Sequence, residues 1–171
     1  MNKFYTVHGQ TVEGIKRQIA MSIEDVKICE VSILPFGKII APLLNKLKED
    51  GEKYNTKNLT QYGIGDVLTR EDNPDRYGII TKESLDEHGY HAATRLCLIK
   101  LMHMVTAEID TNKIAVICST ADFIDTRDFA EFECTFKEII DTLYPEYEIT
   151  VMFLYQERRG ELDDLIDDED D

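Results

Sequence analysis

The chain has 171 residues, a formal net charge of −15 and a 43% apolar share. That length suits one compact domain, and that apolar share speaks against a disordered chain. The Lys/Arg clusters that nucleic-acid phosphates or an anionic membrane surface need are missing, which argues against direct binding to either.

In chain order, "FYTV" (Phe4 to Val7) reads as a short strand. From Thr11 a helical pattern follows, with Val12, Ile15, Ile19 and Ile23 at three- and four-residue steps. "VKICEVSIL" (Val26 to Leu34) is rich in β-branched residues and reads as a strand that "PFG" breaks. Ile39, Ile40, Leu43, Leu44 and Leu47 predict a second helix, stopped at Asp50-Gly51, with Pro42 tolerated only in its first turn. From Glu52 to Tyr77 regularity fades. A loop that long is uncommon in a compact domain, so either a short element hides around "IGDVL" or the segment is a flap over a pocket.

"YGIIT" predicts another strand, and the stretch "EHGYHAATRLC" then leads into a helix with Leu98, Leu101, Met102, Val105 and Ile109 on its core face. "KIAVICST" (Lys113 to Thr120) is a continuous apolar run, as expected of a central strand buried on both faces. "DTRDFAEFECTFKEIIDTLYP" is the clearest helix, with Phe129, Phe132, Phe136, Ile139, Ile140 and Leu143 along one face and Asp125 or Thr126 as its cap. "YEITVMFLY" (Tyr147 to Tyr155) is the last strand. Strands alternating with helices predict an α/β fold: a mainly parallel sheet with helices on its faces, in three layers. Ligands in such folds bind at the carboxyl ends of strands, here near Leu34 to Gly37, Ser119 to Asp122 and Tyr155 to Arg158.

Residues 1–160 are expected to form one α/β domain. The last eleven residues, 161–171, hold eight acids and no base, leaving −7 for the other 160. Such a segment cannot repay its ordering entropy and is expected to be a disordered acidic tail. The first residues include no apolar signal core, and no apolar run approaches a membrane span, so a cytoplasmic protein is expected. Cys29, Cys97, Cys118 and Cys134 lack CxxC spacing and each sits in an apolar-rich segment. Reduced, buried thiols are the expectation.

Few residues point to chemistry. His88 and His91 are three apart, but zinc wants three or four converging ligands, and Cys97 points well away from His91 on a helix. A helix start with a buried thiol is the expectation, with no metal and no cofactor. Arg95, on the first turns of an apolar helix, can anchor a carboxylate or phosphate by its planar fork; the plainer reading is a surface ion pair. "LPFGK" follows a strand but lacks the phosphate-loop pattern, and "GIG" at Gly63 to Gly65 lacks a third glycine. Asp122, Asp125 and Asp128 can hold a divalent cation or simply cap a helix. No serine sits in a nucleophile elbow.

From Glu83 to Arg159 the order of features resembles the sensory domain of methanogen and methylotroph regulators, the DcmR-type or MEDS family. The counterparts are Gly89-Tyr90 with Arg95, then Phe132-Glu133, then "VMFLYQERR" with Tyr155. The N-terminal half has no equivalent of the family's opening histidine segment beyond His8. The resemblance implies a decayed RecA-like fold that senses a small molecule or docks a regulatory protein without hydrolysing nucleotide. It implies a ligand site at Tyr90, Arg95, Glu133 and Tyr155. The leading expectation is therefore a non-enzymatic sensory or regulatory module. The alternatives are an acidic interaction protein occupying a basic partner surface, in the manner of a nucleic-acid mimic, and an enzyme of unrecognised type working near Asp122 and Asp125.

Overall fold

The computed structural model describes residues 2–36, 66–70, 72–82, 87–120 and 126–155, and for 34–36, 66, 81–82, 87–93, 120, 126–129 and 155 the backbone only. The elements are β1 (Lys3–His8), α1 (Val12–Ser22), β2 (Lys27–Phe36), β3 (Asp66–Arg70), β4 (Asn73–Lys82), α2 (Glu87–Thr106), β5 (Lys113–Thr120), α3 (Thr126–Leu143) and β6 (Glu148–Tyr155). They build one six-stranded sheet in the order β1-β6-β5-β2-β4-β3. All neighbours are parallel except β3, which runs antiparallel to β4.

Alternation within the strands divides the core into two layers. Cys29, Val31, Ile33, Val116, Cys118, Val151 and Phe153 face α2 and α3, whose Leu98, Leu101, Phe136 and Ile140 close over them. Ala115, Ile117 and Leu154 face the other way, under Ile15 and Ile19 of α1. Helices thus flank the sheet on both sides, which is the three-layer α/β arrangement. The connections obey the handedness rule: α1 leads the chain across the sheet in one direction on one face. From there α2 and α3 bring it back on the other.

Local chemistry explains the element ends. Thr11 caps α1 by accepting the Gly14 N–H at 3.0 Å, and the Ile23 N–H closes its far end on the Ile19 carbonyl at 2.9 Å. Gly9, between β1 and α1, has φ +70, a left-handed turn that a side chain would strain. Asn2 ties the start of the sheet to its neighbours: its Oδ1 accepts from the Ile149 N–H and its Nδ2 donates to Asp141, both at 3.0 Å.

Three details depart from the sequence expectation. First, β2 does not stop before Pro35 but runs on to Phe36. Beyond Ser32 its only paired neighbour among the described residues is β4, so the missing proline donor breaks no ladder on the β5 side. Second, β4 begins at Asn73, before the expected "YGIIT", while the short element expected around "IGDVL" is β3. The hairpin they form has a register shift at Thr69/Arg70, and Pro74 lies in the bulge where neither neighbour pairs with it. Third, Cys134 is exposed, whereas Cys29, Cys97 and Cys118 are buried; all four are free thiols. On α3 it lies roughly opposite the Phe132, Phe136, Ile139 stripe, and Leu143, in the last turn, is 46% exposed. The helix expected at Ile39 to Leu47, its cap at Asp50-Gly51, Asp122, Asp125 and the acidic tail lie outside the described residues.

The thiol pattern gives a direct check. A thiol reagent should label Cys134 rapidly in the native protein. The three buried thiols should react only through rare opening, about 1,000-fold slower or more. Labelling of two or more sites at comparable rates, followed by peptide mass spectrometry, would show that the core packing is wrong.

Candidate functional site

Among the described residues the strand order points to a candidate site between β2 and β5. β2 and β5 are paired only as far as Ser32 and Ser119. Beyond that point β2 continues beside β4 to the Phe36–Lys82 pair, and β5 continues beside β6 to Thr120–Tyr155. The described pairing between the two strands thus ends before the strands do, and the next strands in the chain lie to opposite sides, β6 beside β5 and β3 beyond β4 from β2. This is the topological switch point at which open α/β sheets take ligands.

The family-implied residues are distributed around this rim and away from it. Tyr155 ends β6 in register with Thr120 on one side and His8 on the other. Tyr90 lies in the first turns of α2, which begins after the carboxyl end of β4. Three strand spacings, about 14 Å, separate β6 from β4, which lie on opposite sides of the β5–β2 pair. Arg95 is farther along α2, where its Nη1 donates to Glu138 Oε1 of α3 at 2.9 Å, with the two side chains 42% and 61% exposed. Glu133 is half-buried on α3, five residues before Glu138. The structure thus engages Arg95 in the plainer role, an ion pair between two surface helices. Such pairs are worth little: Arg95→Ala or Glu138→Ala should change stability by no more than about 1 kcal/mol. A loss of several kcal/mol in a urea titration would mean that Arg95 carries more than this bond.

Sequence reasoning missed the polar strip on the α1 side of the crevice. Because Val31 and Ile33 face α2 and α3, Glu30 and Ser32 face α1; by the same alternation Ser119 joins them. Lys16 of α1 reaches Glu30 at 3.3 Å, with side-chain exposures of 33% and 18%. Arg76 of β4 is the register partner of Glu30. Ala115 and Ile117 are sealed beneath α1, while Ser32 and Ser119 are only partly buried. The alternation in "KICEVSIL" reads as any half-exposed strand; only its central place in the sheet, where a strand covered on both faces is expected to be apolar throughout, makes it unusual.

Elsewhere the chemistry is quiet. Burial pushes the Cys29 thiol up to about 12 and raises Cys118 as well, so neither is a ready nucleophile. Among the described residues no group of three or more His, Cys, Asp or Glu is placed to hold a metal ion. His88 and His91 both lie in the first turns of α2, described there as backbone only. A shallow, open depression of about 860 Å³, lined by Asp25, Lys27, Glu108, Asp110 and Lys113 among others, lies at the amino ends of β2 and β5, the end opposite the crevice. Within α2 the Thr94 hydroxyl is buried without a hydrogen-bond partner. None of the described helices is long and apolar enough to cross a membrane. No protein-family model matches the chain, and no curated protein is detectably similar to it.

Proposed function

We propose that the protein is a non-enzymatic sensory or regulatory module that takes a small ligand, or a protein partner, at the crevice between β2 and β5. The observation that supports this reading is the end of the described pairing between the two central strands at Ser32 and Ser119, with partly exposed polar side chains on one wall. The resemblance of residues 83–159 to the MEDS sensory domain favours the same class. The thiols of Cys29 and Cys118 are held protonated in the core, which leaves them unsuited to covalent chemistry at neutral pH.

The test is a thermal-shift screen of the full chain against a broad library of small metabolites, with native mass spectrometry of every compound that raises the melting temperature. The expected result is one chemical class giving saturable, one-to-one stabilisation that a bulky Ser119→Leu substitution abolishes. Stabilisation by nothing in the library, or by compounds indifferent to that substitution, would overturn the reading.

A second reading rests on charge. With −15 overall and eight acids in the last eleven residues, the chain suits a basic protein partner. Capture of a basic protein that weakens steeply with salt and is lost on deleting 161–171 would favour this role. Capture unaffected by the deletion would count against it.

A further inference from the structure

We propose that the protein forms a two-fold symmetric dimer through the outer edge of β1 and the adjoining flank of α3, so that a second copy of the chain extends the sheet. The inference is independent of the crevice. The two edges of the sheet differ. β3 is five residues long, and its pairing with β4 carries a register shift at Thr69/Arg70, a feature that protects an edge from further pairing. β1 pairs with β6 over six consecutive residues without a shift, has no proline and no acid, and keeps Lys3 and His8 at its two ends. Among the described residues nothing pairs with its outer side, and Tyr5, near its middle, is 45% exposed. An unbroken edge with an aromatic at its centre is a surface for another strand.

The charges on α3 identify that strand as a second copy. Phe136 meets Phe4 at 6.3 Å and Phe153, whose neighbour in register is Thr6, at 6.4 Å, so α3 lies over the β1–β6 pair at the level of Tyr5. Asp141 accepts from Asn2, which marks the flank of α3 on the β1 side. At three- and four-residue steps back from Asp141 this flank carries Lys137, Cys134 and Ala130, all exposed, with half-buried Glu133 beside them. Antiparallel pairing of two β1 strands about a two-fold axis at Tyr5 keeps both α3 helices on the same face of the sheet. Their axes then run about two strand spacings, roughly 10 Å, apart, which is a helix-packing distance. The small side chains of Ala130 and Cys134 leave room for that approach. Glu133 of each copy comes opposite Lys137 of the other, and among the described residues of one chain neither is held in an ion pair. The net charge of −15 resists self-association at long range, but β1 itself carries no acid, and salt screens such repulsion beyond about 8 Å.

Sedimentation equilibrium of the full chain at physiological salt should show a monomer–dimer equilibrium in the micromolar range or tighter. Tyr5→Lys, which sets two like charges face to face at the axis, should weaken the dimer at least about tenfold. Met21→Lys, at a residue 82% exposed on the side of α1 away from the sheet, should leave it unchanged. Lys137→Glu should weaken it as well, and the Glu133→Lys/Lys137→Glu exchange should restore it, because the reciprocal pairs form again with their signs reversed. Circular dichroism and melting of each variant show that the fold is kept. A chain that stays monomeric at its highest soluble concentration overturns the proposal. So does a dimer that Tyr5→Lys leaves intact, or one that the charge exchange fails to restore.

Discussion

Replacing Phe136 by alanine should cost about 3–5 kcal/mol of folding stability and lower the melting temperature by on the order of 10 °C. The side chain is fully buried and sits at the centre of an aromatic cluster. Its ring meets Phe132 at 6.0 Å, Phe4 at 6.3 Å and Phe153 at 6.4 Å, each pair close to edge-on. Phe132 and Phe153 approach edge-on as well, at 6.1 Å, and Phe4 stacks on Phe153 at 6.4 Å. This cluster joins α3 to β6 and to β1 at the edge of the sheet. Truncation therefore removes transfer energy and leaves a cavity that three other rings cannot easily fill. Phe132→Ala should fall in the same range. The double variant should cost less than the sum of the two, because each ring is part of the other's packing. Phe136→Leu, which keeps most of the volume, should cost well under half as much. Near-native urea midpoints for both alanine variants would mean that α3 does not pack by this face.

The same cluster shows why the fold was legible. The spacing of Phe132, Phe136, Ile139 and Ile140 can be buried only by a helix lying on a sheet, and "KIAVICST" can be satisfied only between two covered faces. Periodicity carries such information because it reflects one dominant energy, the removal of apolar surface from water. What it does not carry is long-range pairing. That β2 lies between β5 and β4, and that β1 lies beside β6, depends on contacts between segments far apart in the chain. The crevice follows from that order and was legible only as three separate strand ends. Tyr155 was placed at a strand end by the alternation of elements. Arg95 was not, because its α-helical position fixes a face but not a partner; Glu138, 43 residues away, decides its role. The polar strip went unread because Glu30 and Ser32 alternate with Cys29, Val31 and Ile33 as they would in any half-exposed strand. Only the strand order makes β2 central and its polarity unusual. The β3–β4 hairpin was legible only as a strand at "YGIIT" and one of two alternatives around "IGDVL", because five residues and a bulge containing Pro74 give too short a pattern to register against charged neighbours.

Raising the pH above about 9 should destabilise the protein well before ordinary alkaline unfolding. Burial raises the Cys29 thiol from 9.0 to about 12, the nearby Lys27 opposing this only in part, and burial alone raises Cys118 further. In the unfolded chain both thiols lose their protons from about pH 9 upward, whereas in the folded protein they keep them. The unfolded state therefore binds fewer protons over this window, so stability must fall as pH rises. The contribution is fully present below pH 9 and is lost progressively toward 12. By about pH 11 the loss should reach roughly 2–3 kcal/mol for each thiol, since every tenfold difference in proton affinity between the two states is worth about 1.4 kcal/mol. Tyr77, raised from 10.0 to about 12 chiefly by burial, acts in the same direction at the upper end of the window. So does Lys27, raised first by its hydrogen bond to Asp75 at 2.6 Å. Urea titrations between pH 8 and 11 under reducing conditions measure the slope. A Cys29→Ala/Cys118→Ala variant provides the control: it should be less stable than the wild type at pH 8 but lose less stability on going to pH 11. If the two pH profiles run parallel, the thiols are ionising freely in the folded protein. Cys29 and Cys118 would then not be sealed between the sheet and the α2–α3 layer, and the packing of that face would have to be revised.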